Sequence, residues 1–273
     1  MRTKVVSDSG DVVRIMELEA EGINGIKNKI SIHFGDGINV LCGVEGIGKS
    51  TILRIIEDAI FGNVCLRKNA FCPAGEYMVL CSTNQRTEII HNRITEKEPV
   101  RRYGQMVIPY MDGLSTWFLK RYLLGDSDED MTENQKQNTK LAVAAFSLLD
   151  PDVSIVPGTV GVRFRTTMGE MDFEQLSSGY RSCIRHIHNM IKEVERLCRT
   201  GDICIKEFDG CILIEDMEQG LDPFLQVRFL YTLRELFPET QFIITSNSTY
   251  IQHCLYHDEV IFMARDREGG LRI

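Results

Sequence analysis

The stretch Gly43-Val44-Glu45-Gly46-Ile47-Gly48-Lys49-Ser50 constrains this chain more than any other. It follows a short apolar run at 38–42 and precedes a segment in which Ile52, Leu53, Ile55, Ile56, Ala59 and Ile60 recur at helical spacing. A strand, a glycine-rich loop and a helix are therefore predicted in immediate succession. Glycines let the backbone wrap closely around an anion with its N–H groups turned inward, and the helix N-terminus adds positive partial charge. In such a loop Lys49 reaches the β and γ oxygens of a polyphosphate and Ser50 can ligate Mg²⁺. Residue frequencies alone would produce the pattern in roughly one random chain of this length in a hundred, and its position between strand and helix makes chance rarer still.

A phosphate loop calls for a carboxylate at the end of a neighbouring strand to manage the metal ion. The run Cys211-Ile212-Leu213-Ile214 ends in Glu215-Asp216, which suits that place. Two further strands are predicted at 241–245 and 259–263, separated by helices at about 224–236 and after Ser248. Apolar strands alternating with helices imply a parallel sheet. Residues 12–18 and 29–34 alternate apolar and polar positions and read as antiparallel edge strands. Between Gly62 and about Glu174 the pattern changes to strand candidates at 77–81, 87–94, 105–110 and 161–166, interrupted by a helical section, so this stretch reads as a second lobe. Thr132 and Gln135 are spaced as a capping box, and the acidic run 126–130 reads as a solvated loop. A long amphipathic helix is predicted from Gly179 to Arg199.

With 273 residues, 43% of them apolar, the chain can bury a substantial core. Its 31 basic residues stand against 39 acidic ones, and the net charge of −8 argues against a protein that coats nucleic acid through overall positive charge. No apolar run approaches the roughly 20 residues that span a bilayer, and residues 1–13 lack the apolar core of a secretory signal, so a cytoplasmic location is expected. Nine cysteines without a C-x-x-C pair read as free thiols. His253, Cys254 and His257 form one short cluster without a second ligand pair, a weak basis for a metal site. His186 and His188, two apart on a helix, point to different faces.

The segment Leu176-Ser177-Ser178-Gly179-Tyr180, placed between the phosphate loop and the acidic strand, resembles the LSGGQ-type signature of the ABC-ATPase superfamily. Glu218-Gln219-Gly220-Leu221-Asp222-Pro223 is similar to its D-loop, and residues 241–248, ending Thr245-Ser246-Asn247-Ser248, to its switch strand. The likeness covers nearly the whole chain and lies with the stand-alone AAA/ABC-type ATPases related to RecF, SMC, OLD-family and AbiEii-like defence proteins. The 128 residues from Lys49 to Ser177 leave room for a β-subdomain and a helical lobe, not for the long rod of an SMC protein.

The resemblance implies an α/β P-loop NTPase fold: one ABC-type head over 1–273, with its core at 1–62 and 176–273 and a β-subdomain and helical lobe at about 63–175. It implies ATP and Mg²⁺ as cofactors, held by Gly43, Gly46, Gly48, Lys49, Ser50 and Thr51, with Ser50 and Glu215 on the metal. It makes Glu215, Asp216 and Asn247 the catalytic group. It further implies a homodimer in which Ser177, Gly179 and Asp222 of one copy close over the nucleotide of the other. Three positions depart from the usual pattern. The acidic pair reads Glu215-Asp216 where Asp-Glu is usual, Asn247 replaces a histidine and cannot carry its charge, and Glu45 replaces a common asparagine. A misplacement of about 1 Å can cost on the order of a hundredfold in rate, so slow ATP hydrolysis is expected. Gln105 is the candidate for a Q-loop residue.

The expected function is an ATP-driven switch in phage defence or genome maintenance, acting through an effector or nucleic acid. No nuclease signature follows the ATPase core before Ile273, so the effector is expected on another polypeptide. Two alternatives stay open: a nucleotide-binding subunit of an ABC transporter, and a repair ATPase holding DNA ends through Arg67, Lys68, Arg101, Arg102, Lys120 and Arg121. Tyr103, Tyr110, Trp117 and Phe118 read as lobe core rather than as a base-stacking platform.

Overall fold

A computed structural model of the chain describes residues 1–8, 11–62, 66–83, 87–94, 114–124, 131–157, 161–197 and 202–273. The predicted strand 105–110, Gln105, Tyr103, Tyr110, Arg101, Arg102 and the acidic run 126–130 lie outside the described residues. The chain divides into two compact units. The first comprises Met1–Val107, Asp209–Met217 and Thr240–Ile273, the second Ile108–Phe208 and Glu218–Glu239. This partition differs from the expected one. The hairpin at 75–94 joins the first unit because its first strand pairs with the strand at 11–21, and the signature helix joins the second.

The first unit is built on one nine-stranded sheet, counted among the described residues. Its parallel part consists of β12 (Val260–Phe262), β4 (Ile38–Cys42), β11 (Gln241–Ser246) and β10 (Cys211–Glu215), adjacent in that order. Strands β4 and β11 are buried at every position, which is why they read as continuous apolar runs rather than alternating ones. On the far side of β10 the sheet continues antiparallel through β1 (Arg2–Asp8), β2 (Asp11–Glu21), β5 (Gly75–Thr83) and β6 (Thr87–Ile94), and β3 (Ile30–His33) pairs with β2. β2 is thus an interior strand, not an edge. Helix α1 (Lys49–Phe61) packs on this sheet through Ile52, Leu53, Ile55 and Ile56. It ends at Gly62, which takes the left-handed conformation a helix terminus favours. A short hairpin, β13 (Ala264–Arg265) with β14 (Leu271–Arg272), follows β12.

Two buried amides hold the irregular parts of this sheet. The β2–β5 register shifts between Ile15 and Glu17. There the Gln241 side chain accepts from the Ile15 N–H at 2.8 Å and donates to the Ile15 carbonyl at 2.8 Å and the Gly35 carbonyl at 2.9 Å. Asn39 accepts from the Gly35 N–H at 2.7 Å and donates to the carbonyls of Gly35, Gly37 and Phe242, closing the turn between β3 and β4. Buried backbone groups without partners are costly, so each amide stabilises by satisfying several at once.

The second unit holds α2 (Thr116–Leu124), α3 (Glu133–Leu149), the three-stranded sheet β7 (Ser154–Pro157), β8 (Val162–Thr166) and β9 (Gly169–Met171), α4 (Ser178–Leu197) and α5 (Pro223–Leu236). The Thr132–Gln135 capping box forms as the spacing predicts. Phe118, Phe146, Phe164 and His188 are fully buried together, the Phe118 and His188 rings stacked at 4.4 Å. Burial pushes the His188 pKa down to about 4, so the ring is neutral as it contacts the Ala142 carbonyl at 3.1 Å. Asn138 ties three elements together: it donates to Glu195 and to the Ile203 carbonyl and accepts from the Ile205 N–H. Among the described residues the cysteines are free thiols, and no group of three or more His, Cys, Asp or Glu is arranged to hold a metal ion. The described residues also contain no helix long and apolar enough to cross a membrane.

Candidate nucleotide site

Strands β4, β11 and β10 run parallel and end nearly level, since Cys42 pairs with Ser246 and Ile244 with Ile214. The carboxyl edge of a parallel sheet is where ligands bind in open α/β folds. Each of these strands releases one part of the predicted site there: the glycine loop after β4, Asn247 after β11 and Glu215-Asp216 at the end of β10.

The loop turns through Gly43, Gly46 and Gly48, all with positive φ, of 150°, 75° and 122°. At Gly43 a Cβ would stand 2.4 Å from the Met263 carbonyl oxygen, so no other residue fits without displacing that chain. The chains meet here because the Met263 N–H bonds to the Cys42 carbonyl at 2.7 Å. Ile47 is buried and anchors the loop to the core, whereas Val44, Glu45 and Gly46 are exposed. The Glu45 carboxylate is therefore solvated, which lessens its repulsion of a bound anion.

Helix α1 starts at Gly48 with no side chain capping it and no acidic residue in its first turn. A glycine at this place costs a helix only about a few tenths of a kcal/mol relative to a capping Ser, Thr, Asp or Asn, so the open start is retained at little expense in stability. An uncapped start behind a loop of glycines is suited to an anion. Lys49 is 5% exposed, and its ammonium donates to the Gly43 carbonyl at 2.8 Å, the Val44 carbonyl at 3.1 Å and the Asn247 Oδ1. A buried cation is stable only when so surrounded. Ser50 and Thr51 are half-buried in the first turn.

Glu215 and Asp216 are both half-buried. Asp216 has φ 50°, the left-handed region that L residues seldom adopt. Its N–H donates to the Thr245 Oγ1 at 2.9 Å, and the next N–H, of Met217, donates to the Thr245 carbonyl at 3.1 Å. Thr245 has no exposed surface. The sequence placed Thr245 at the start of the switch segment by resemblance but gave it no role, because its contacts with residues 216 and 217 form only across the sheet.

The remaining predicted residues lie in the second unit. The exposed Ser177 caps α4, its Oγ accepting from the Tyr180 N–H at 3.2 Å, and Asp222 caps α5, accepting from the Leu225 N–H at 3.0 Å. Gly179 is where the two helix starts meet: a Cβ there would come 3.1 Å from the Gly220 carbonyl oxygen and 3.1 Å from the Leu225 Cδ1. The structure thus brings Ser177, Gly179 and Asp222 together, and separately Lys49, Asn247 and the loop glycines. Arg121 donates to Glu195 at 2.7 Å and is only 15% exposed in its side chain, which removes it from the proposed DNA-binding set.

The residues around the loop fit a polyphosphate: glycines at positive φ, an uncapped helix start and a buried lysine held by backbone carbonyls and one amide. The chain is 28% identical to the Septu protein PtuA of Bacillus thuringiensis, in a match covering 95% of this chain and 78% of that one. Its fold matches the SMC head domain of Thermotoga maritima with a TM-score of 0.56 at 15% identity, covering 94% of this chain and 97% of that one. It likewise matches the Pyrococcus furiosus Smc head with an extended coiled coil bound to the C-terminal domain of ScpA, with a TM-score of 0.56 at 14% identity and 95% of each chain. These likenesses bear out the P-loop ATPase fold of the SMC-head type. A family model described as an AAA domain matches residues 17–197, more than half of the sequence, and the chain therefore belongs to that AAA domain family.

Proposed function

We propose that this protein is a cytoplasmic ATP-binding switch, slow in hydrolysis, that pairs with a second copy around two nucleotides and controls a separate effector. The observation that carries this reading is the uncapped α1 start beside the Lys49 ammonium, which donates to Gly43, Val44 and Asn247. Bound Mg-ATP would supply the phosphoanhydride bond and the metal's charge. The chain supplies the rest. Loop amides and Lys49 hold the phosphates, Ser50 and Glu215 hold the metal, and Asn247 offers its amide as a neutral donor. Asp216 accepts the proton of the attacking water at its carboxylate, giving ADP and phosphate. Its side chain is one methylene shorter than the glutamate usual there, which supports slow turnover.

Exposed Ser177 and the start of α4 form the surface offered to the second copy's nucleotide. The likeness to a Septu protein favours a role in phage defence over a transporter or repair role.

Turnover and mass in solution should be measured for the wild type and for Lys49→Ala, Asp216→Ala and Ser177→Arg. We expect Lys49→Ala to lose ATP binding, Asp216→Ala to bind but not hydrolyse, and Ser177→Arg to bind without pairing. Unchanged ATPase in all three overturns the reading.

A further inference from the structure

Asp216 and Asn24 are the residues other than glycine with positive φ among the described residues, and Asp216 stands at the end of the acidic strand. Aspartate and asparagine enter the left-handed region more readily than other L residues, and residues held there gather at functional sites. Here one buried residue holds Asp216, through its hydroxyl and its own carbonyl. Thr245 takes the N–H of Asp216 on its hydroxyl and the N–H of Met217 on its carbonyl, so it grips the peptides on both sides of the Asp216 Cα. Met217 is itself fully buried, which anchors the chain beyond the turn. The regular β10–β11 ladder stops at Ile214 and Ile244, and the Thr245 hydroxyl serves the next available amide. On its other side Thr245 pairs with Leu41, two residues before Gly43, and two residues after it Asn247 accepts from Lys49.

We propose that Thr245 is a positioning residue for hydrolysis: by gripping both peptides of Asp216 it sets where the carboxylate stands, and it joins that carboxylate to the strand end that meets Lys49. The inference rests on the reading of Asp216 as the group that handles water. A buried threonine that merely satisfied a strand-end amide would affect stability without selecting one kinetic constant.

The test compares wild type, Thr245→Val, which keeps the shape but loses the hydroxyl, and Thr245→Ser, which restores it. In Thr245→Val, kcat should fall about tenfold to a hundredfold while KM for ATP stays within about threefold, and Thr245→Ser should lie close to the wild type. In nucleotide-free protein, hydrogen exchange at the Asp216 amide should quicken at least about tenfold in Thr245→Val but not in Thr245→Ser. Should Thr245→Val not fold, Thr245→Ala carries the same comparison. Wild-type kcat or unchanged Asp216 exchange in the hydroxyl-free variant overturns the inference alone. A wild type that binds ATP and never hydrolyses it overturns the reading of Asp216 together with the inference.

Discussion

At Gly43 the sheet and the phosphate loop press on each other, because the Met263 carbonyl occupies the space a side chain would need. Gly43→Ala should therefore destabilise the first unit by about 2 kcal/mol, read by urea unfolding, and weaken ATP binding as the loop shifts. Asp222 behaves otherwise. As the cap of α5, its replacement by alanine should cost about 1 kcal/mol even without nucleotide, whatever it adds between two copies. The motif residues were legible because their chemistry is local: glycines, lysine and serine within eight positions imply a phosphate loop by themselves. The role of Thr245 was not, since its partners Asp216 and Met217 follow a strand about thirty residues earlier and only the sheet brings them together. The solvated side of Glu45 was equally hidden until the loop had a shape.

Among the elements, those buried on both faces or periodic at 3.6 residues were read closely, β4, β10, β11, α1, α4 and α5 included. Short strands with weak alternation were not: β1, β7, β9 and the final hairpin depend on partners rather than on their own pattern. Nor could alternation alone tell that β2 is interior. It gains that place through a bulge whose backbone groups Gln241 satisfies from 226 residues away. Gln241→Leu should thus cost roughly 2–4 kcal/mol in an unfolding titration, because it strands the Ile15 amide and carbonyl. Helix α4 carries a pH dependence. With its pKa near 4 in the fold and near 6.5 when unfolded, His188 binds more protons in the unfolded chain between those values. Its contribution to stability is therefore lost as pH falls from about 6.5 toward 4, by roughly 3 kcal/mol in all. Urea titrations at pH 7 and pH 5 should show a smaller loss in His188→Phe than in the wild type.

At the scale of the molecule, the nucleotide loop and the signature segment belong to different compact units, and neither holds the whole set of predicted nucleotide contacts. That division is what a switch needs if ATP is to bring one unit's loop against the signature of a second copy. On the proposed pairing, Mg-ATP should double the mass of the wild type in light scattering, and Ser177→Arg should leave ATP binding intact and abolish that doubling. On the proposed defence role, the same variant should also abolish protection against phage while leaving the chain folded. The most direct measurement is a titration of Mg²⁺ and a slowly hydrolysed ATP analogue into wild-type protein and Lys49→Ala. The account predicts saturable binding of about one nucleotide per chain, weakened at least about a hundredfold by the substitution. Absence of binding in the wild type, or equal binding in both, would contradict it.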